Sequence, residues 1–159
     1  ALTVPGDVLL ASKVSGNGAS VTAEGNLSLL GLGVDLSAYS SPTEGVSLYS
    51  KKNITISTYD KSGTYHDVSL KGVVYAWGNF KAYMGSTSVP ESNWGKLKLT
   101  GSMVAYGKDP ANVSAPVNGG DIDVIAREAN MKYDPAYLLD FSNTLPTNIT
   151  MIRVRWSEN

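Results

Sequence analysis

Cysteine is absent from this sequence, histidine occurs once and charged residues make up only 17% of the 159 positions. The missing cysteine excludes disulfide frameworks, zinc–thiolate sites and thiol catalysis. The net charge is −1, so no bulk electrostatic field draws the chain to nucleic acid or to an anionic membrane. No apolar run reaches the roughly 18 residues that a membrane-spanning helix needs. We therefore expect no membrane contact by this segment.

The residues that are abundant favour strands and turns. Hydrophobic residues make up 42% of the chain, and glycine (16) and tyrosine (9) are common whereas phenylalanine (2) is rare. A chain of this length and apolar content can bury one continuous core. The composition is typical of an all-β protein with many turns.

A short pattern, glycine-x-apolar-x-apolar-x-small, recurs six times with some variation. The first apolar residue of each copy is separated from the next by 19, 19, 22, 29 and 25 residues. These first positions are Val8, Leu27, Val46, Val68, Leu97 and Ile122. A repeat of about 19 residues with insertions predicts an all-β fold, a β-solenoid (β-helix) of about six turns. A β-sandwich of short strands separated by turns is the alternative that the same spacing allows.

The solenoid hypothesis makes a definite prediction about stacking. The six first positions form one ladder, and the apolar residues two places further along form a second ladder beside it. In particular, four leucines of that second ladder are expected to stack and be buried in consecutive turns: Leu29, Leu48, Leu70 and Leu99. The small residue that ends each copy is expected where the chain bends at a corner.

We divide the chain into repeats over residues 1–133 and a capping segment over residues 134–159. The segments 57–66, 81–94 and 107–119 are rich in turn-forming residues and are expected to be loops. Asp134 followed by Pro135 predicts the start of a short helix. A final strand is expected with Ile152, Val154 and Trp156 on one face.

The best-matched copies align residues 68–78 with residues 97–107 without a gap. Strand alternation then places Tyr75, Trp77 and Tyr106 together on the outer face, as a candidate binding surface. The alternative is that the 81–94 segment, with Tyr83 and Trp94, folds over them. Two further candidate binding residues are Arg153 and Arg155, which with Lys51 and Lys52 would supply local positive charge for DNA.

Candidates for catalysis are few. His66 is the single histidine, and no metal-ligand or nucleophile pattern surrounds it. Asp121 and Asp123 share one strand face, and the expected stacking of Asp123 against Lys98 explains them as a solvated ion pair. We therefore expect no catalytic residues, no metal site and no cofactor. Four Asn-x-Ser/Thr sequons also occur, and most are expected to be chance matches: Asn26, Asn53, Asn112 and Asn148.

Two segments carry a resemblance to a known family. The sequence Leu97-Lys-Leu-Thr-Gly-Ser-Met-Val-Ala-Tyr-Gly107 and the sequence Met131-Lys-Tyr-Asp-Pro-Ala-Tyr-Leu138 resemble solenoid domains of bacterial type IV pilus-associated proteins, of the PilX-like and ComZ-like minor-pilin kind. The resemblance implies an extracellular or cell-surface domain with a role in DNA uptake or adhesion. It implies other pilus or cell-surface proteins as partners and brings no catalytic residues.

Two other functions stay open beside a non-catalytic structural domain. The first is a surface module that binds DNA or polysaccharide through exposed aromatic rings. The second is a polysaccharide-active enzyme, which would need a cluster of carboxylates that the sequence does not indicate.

Overall fold

The computed structural model describes residues 2–15, 20–31, 33–36, 46–60, 62–107 and 119–137. These residues form thirteen strands and one short 3-10 helix at Glu91–Asn93. The strands are β1 (Leu2–Val4), β2 (Val8–Ala11), β3 (Val14–Ser15), β4 (Ser20–Ala23), β5 (Leu27–Leu30), β6 (Val34–Leu36), β7 (Val46–Ser50), β8 (Ile54–Ser57), β9 (Val68–Ala76), β10 (Phe80–Tyr83), β11 (Lys96–Ala105), β12 (Ile122–Ile125) and β13 (Glu128–Tyr133).

The strands make two sheets, and every pair of named strands is parallel. Sheet B consists of one ladder in the order β2-β5-β8-β10-β12. Sheet A contains two ladders that share its long strands β9 and β11. One ladder contains β1, β4, β7 and the second halves of β9 and β11. The other contains β3, β6, the first halves of β9 and β11, and β13. The chain visits the three ladders in rotation, because β1, β2 and β3 belong to different ladders and β4, β5 and β6 repeat the order.

Alternation along the strands explains where the core lies. In sheet B the alternate residues Leu27, Ile54 and Phe80 are register partners and are fully buried. Their neighbours in sequence point to the other face, since successive side chains in a strand alternate. The inward side chains of all three ladders form a single hydrophobic cluster that runs the length of the stack. This cluster supplies most of the stabilising burial.

Glycines allow the long strands to bend between two ladders. Gly72 in β9 and Gly101 in β11 are register partners with φ of 142° and 137°. Only glycine adopts such values without strain. Gly31 and Ser12 have positive φ at another bend, so the expectation that the small residue of the motif marks a corner is confirmed at these four positions.

The predicted first ladder is right for the pairs Val8–Leu27 and Val68–Leu97 and wrong in register elsewhere. Leu29 lies in sheet B, whereas the other three leucines of the expected stack lie in sheet A. All four are buried, but only Leu70 and Leu99 are register partners. Likewise, Val46 lies opposite Gly72 rather than between Leu27 and Val68. The motif describes one strand and not one full turn through all three ladders. Its copies therefore fall in different ladders. The solenoid hypothesis must rest on strand pairing instead.

Three further expectations are settled by the described residues. Each ladder has five strands, so six motif copies do not correspond to six levels. Strand β10 occupies the start of the 81–94 segment that was expected to be a loop. At the predicted helix start, the Asp134 carboxylate accepts the N–H of Ala136 at 3.1 Å and residues 136–137 are helical, which confirms that start. The expected strand with Ile152, Val154 and Trp156 lies outside the described residues.

The β-sandwich alternative does not fit the pairing. Sandwich sheets are antiparallel, whereas the one antiparallel contact among the described residues is an isolated bridge between Tyr59 and Tyr65. The coarse prediction of an all-β fold is confirmed.

Candidate binding surfaces

A ladder of asparagine and aspartate side chains, named the amide ladder, lines the corner at which the chain enters sheet B. The residue before each strand of this sheet is an asparagine or an aspartate, and the register of the strands brings them into line. From one end of the stack to the other they are Asp7, Asn26, Asn53, Asn79 and Asp121.

Hydrogen bonds join each member of the amide ladder to the next. The Asp7 carboxylate accepts the backbone N–H of Asn26 at 2.7 Å. The Nδ2 group of Asn53 donates to Oδ1 of Asn26 at 3.2 Å, and Oδ1 of Asn53 accepts the backbone N–H of Asn79 at 2.9 Å. Oδ1 of Asn79 in turn accepts the backbone N–H of Asp121 at 3.0 Å. The ladder therefore satisfies backbone groups at a corner where no strand partner is available.

The sequence contains a signal for this ladder that the repeat analysis missed. Four of its five residues follow a glycine, and the fifth, Asn53, follows Lys52. A side chain at Gly78 would overlap the amide of Asn53, which explains the glycine there. Two of the four sequons also have a structural origin. In Asn26-x-Ser28 and Asn53-x-Thr55 the asparagine is a ladder residue, the middle residue is inward and the hydroxyl residue is outward.

A shallow groove runs beside the amide ladder, along the outer face of sheet B. Its floor is one row of register partners, in the order Leu9, Ser28, Thr55 and Lys81, and Asp123 continues the row beyond the groove. Ser28 and Thr55 are short, whereas Leu9 and Lys81 on either side of them are long. The groove is therefore a trough of about 14 Å, which is three strand spacings.

The floor of the groove carries polar groups that have no partner in the described part of the chain. Among the described residues, the hydroxyls of Ser28 and Thr55 and the ammonium of Lys81 form no hydrogen bond or ion pair. Leu9 is 62% exposed and Leu30, on the groove wall, is 38% exposed. Ligand sites typically combine apolar side chains with a small number of polar groups that fix the orientation of the ligand.

Asp123 is held differently from the expectation. It lies opposite Lys81, whereas Lys98 lies opposite Asn130, so the expected stacking of Asp123 on Lys98 is wrong. The Asp123 carboxylate accepts the Tyr83 hydroxyl at 2.9 Å, and this hydrogen bond raises the pKa of Tyr83. Asp121 and Asp123 are exposed on either side of Ile122, which is itself 39% exposed and not buried as the first ladder predicted.

The predicted aromatic surface lies on the outer face of sheet A, as expected from alternation. Trp77 and Tyr106 meet edge to face with ring centroids 6.4 Å apart, and Tyr75 stacks on Tyr49 at 5.7 Å. The gapless match of β9 with β11 is confirmed through Ala76 and Ala105. Sequence reasoning did not identify Tyr49, which extends the aromatic row by one strand.

This aromatic surface is largely covered. Tyr75 is only 6% exposed and Trp77 and Tyr106 are half-buried. The cover includes Tyr137, just after the Asp134 helix start, and not the 81–94 segment. Trp94 of that segment packs on Gly85 and donates to the carbonyl of Val89 at 2.9 Å.

Burial raises the pKa of Tyr75 to about 12, with the neighbouring Tyr49 and Tyr106 adding to the effect. A phenol that is so well removed from water is part of a second small core. It cannot serve as an open platform for a ligand, so the expected binding role of Tyr75 does not fit the geometry.

The single histidine is part of a loop linkage. Nε2 of His66 lies 2.8 Å from Oδ2 of Asp60, and Oδ1 of Asp60 accepts the Ser62 hydroxyl at 2.6 Å and the Thr64 N–H at 3.1 Å. These bonds, that of Ser62 first, hold the pKa of Asp60 well below its usual range. The Ser62 hydroxyl donates to the aspartate and not to the histidine, which is not the arrangement of an activated nucleophile. The cluster fastens the segment 58–67.

Positive charge is sparse at the predicted DNA-binding positions. Lys51 forms an ion pair with Glu24, so it is partly neutralised. Arg153 and Arg155 lie outside the described residues. Within the described ranges, no group of three or more potential metal ligands occurs, and no helix there is long and apolar enough to cross a membrane.

Comparison of the chain with protein-family models, with curated proteins and with solved structures finds no match.

Proposed function

We propose that the chain forms a β-solenoid and acts as a structural and ligand-binding module, with the groove on sheet B as its binding surface. The solenoid proposal is supported by three parallel ladders that the chain visits in rotation and by the amide ladder at one corner. Stacked levels of this kind give a rigid outer face with a regular spacing.

The observation that carries the binding role is the row of unpaired polar groups in the groove. Two other outer clusters have internal partners: the Asp60 carboxylate holds its own loop, and the aromatic surface is covered by Tyr137. Ser28, Thr55 and Lys81 instead face solvent, where a ligand could satisfy them.

A retention experiment on immobilised polymers tests this proposal. Ser28→Arg places a long side chain in the trough, whereas Ser69→Arg changes a serine on the outer face of β9, in sheet A. We expect the wild type and the Ser69→Arg variant to be retained by at least one polymer among cellulose, chitin, xylan, polygalacturonate and double-stranded DNA. The Ser28→Arg variant should not be retained. Equal retention of both variants, or no retention of the wild type, would contradict the proposal.

The resemblance to type IV pilus-associated domains supports a more specific proposal, an extracellular role on a bacterial pilus with other pilus proteins as partners. Residues 97–105 are most of strand β11, and residues 131–137 are the end of β13 and the helix start. These positions are also ones that the stacking requires, so the resemblance bears on the fold more directly than on the role. Recovery of the protein with pili sheared from the native cells is the expected result, and its absence from that fraction would remove this proposal.

A further inference from the structure

We infer that the groove on sheet B takes an uncharged linear glycan, with successive sugar rings lying along the stacking direction. This inference rests on the proposed binding role of the groove and names the chemical class of its ligand.

The polar groups of the groove match a ligand that is rich in hydroxyl groups. Ser28 and Thr55 present hydroxyls in register on neighbouring strands, one strand spacing of about 4.8 Å apart. A hydroxyl both donates and accepts, so it can pair with a sugar hydroxyl in either direction. The Lys81 ammonium, next in the row, adds donors that a sugar oxygen can accept.

The apolar groups of the groove match the other surface of a sugar ring. Leu9 and Leu30 lie at the end opposite Lys81 and are 62% and 38% exposed. The C–H face of a pyranose can cover them while its hydroxyl edge reaches Ser28. Removal of exposed leucine surface from water favours such a complex.

The charges at the groove argue against a polyanion. Lys81 is the single cation of the lining, and Asp7 and Asp123 lie at the two ends of the trough. A DNA strand or a chain of uronic acids would bring regular negative charge to both carboxylates. Nucleic-acid sites instead gather several lysines or arginines along the backbone path. A ligand without charge avoids this repulsion.

Calorimetric titration with soluble oligosaccharides tests the inference. The neutral probes are cellohexaose, xylohexaose, chitohexaose and laminarihexaose, and the anionic probes are hexagalacturonate and a single-stranded DNA oligonucleotide. We expect at least one neutral probe to bind more tightly than both anionic probes. Its affinity should change little between low and physiological salt, because no ion pair forms.

Two groove variants with matched controls locate the site. Thr55→Val removes a hydroxyl and keeps a β-branched side chain, and Lys81→Met removes the ammonium and keeps an unbranched chain. Each is expected to weaken the neutral probe about fivefold to tenfold, the effect of one lost hydrogen bond. The controls Thr22→Val and Lys98→Met change outer residues of sheet A and should leave affinity unchanged.

The outcomes separate this inference from the proposed function. Tighter binding of hexagalacturonate or DNA that Lys81→Met abolishes would overturn the glycan class and leave the groove as a binding site. Failure of all four neutral probes would also overturn the class. Binding of a neutral probe that both groove variants leave unchanged would place the site elsewhere and overturn the groove itself.

Discussion

Asn53 lies at the centre of the amide ladder, with a ladder neighbour on either side. Asn53→Ala removes the donor to Asn26 and the acceptor for the N–H of Asn79, and leaves that N–H partly buried without its partner. A buried donor that loses its acceptor costs about 1–3 kcal/mol. We expect the free energy of unfolding, measured by urea denaturation, to fall by this amount.

Asn130→Ala is the matched control, because Asn130 is an exposed asparagine on the outer face of β13. Its effect should stay within about 0.5 kcal/mol, as for most surface substitutions. Equal effects of the two substitutions would show that the ladder contributes nothing to stability.

Asp60 links the stability of the protein to pH. Its pKa is lowered in the folded protein by the Ser62 hydroxyl first, then by the Thr64 N–H and by His66. A carboxyl group whose folded pKa lies below its unfolded pKa stabilises the protein above the unfolded value, about 4. This stabilisation is lost as the pH falls from about 4 through the lower folded pKa.

Replacement of Asp60 by asparagine removes the titrating group. The melting temperature of the Asp60→Asn variant should therefore fall less steeply than that of the wild type as the pH decreases below about 4. Thermal scans by circular dichroism between neutral pH and pH 2 measure both slopes. Parallel slopes would mean that the contacts of Asp60 in the segment 58–67 are not maintained in solution.

At the scale of single residues, the sequence predicted the burial of side chains better than it predicted their contacts. Leu29, Leu48, Leu70 and Leu99 are all buried, because strand alternation alone decides which face a leucine occupies. The contacts between strands depend on register. Register in turn depends on loop lengths that the local pattern does not contain.

The pair β9 and β11 is the element for which the sequence was most informative. The two segments align without a gap, and the register of the strands follows that alignment from Val68 opposite Leu97 to Ala76 opposite Ala105. An insertion inside either strand would have hidden this match. The insertion between them instead lies in the loop before β11, so both strands keep the same pattern, including the glycine at the bend.

That glycine gives a prediction at the scale of the strand. A Cβ atom at Gly101 would overlap the carbonyl oxygen of Gly72, and the φ of 137° is itself unfavourable for alanine. Both effects act on backbone that cannot move without breaking the ladder. Gly101→Ala should therefore reduce the free energy of unfolding by more than about 3 kcal/mol, at the upper end for a single substitution.

Gly6→Ala provides the comparison, because a Cβ atom there meets nothing within 4 Å. Its effect on the urea midpoint should be small or slightly stabilising, since alanine restricts the unfolded chain. A Gly101→Ala variant as stable as the Gly6→Ala variant would show that the bend in β11 is not as described.

At the scale of the candidate site, the sequence predicted an aromatic face that the structure largely covers. Exposed aromatics are a good signal for binding surfaces, but alternation cannot tell an open outer face from a covered one. Tyr137 covers the aromatic face from a distant part of the chain. The groove on sheet B has a weaker sequence signal, two serine or threonine residues that each follow a ladder asparagine by two positions.

For the whole molecule, the proposed solenoid predicts that one level can be removed if the register is kept. Gly72 and Gly101 are register partners, so deletion of residues 73–101 joins Gly72 to Ser102 and forms one hybrid strand from β9 and β11. In the shortened chain β12 can pair with β8, and β13 can pair with the first half of the hybrid strand. Each level contacts only its neighbours, so this protein should still fold cooperatively.

Deletion of residues 73–100 is the sharpest control, because it differs by a single residue. The hybrid strand then carries one extra position, and every side chain after Gly72 moves to the opposite face. Met103 would point outward and Val104 inward. We expect the 73–101 deletion to retain the strand signal in circular dichroism and a single urea transition, with an m-value reduced by roughly a fifth. The 73–100 deletion should lose the transition. In a fold whose strands were not stacked levels, both deletions would remove two central strands and both proteins would be unfolded.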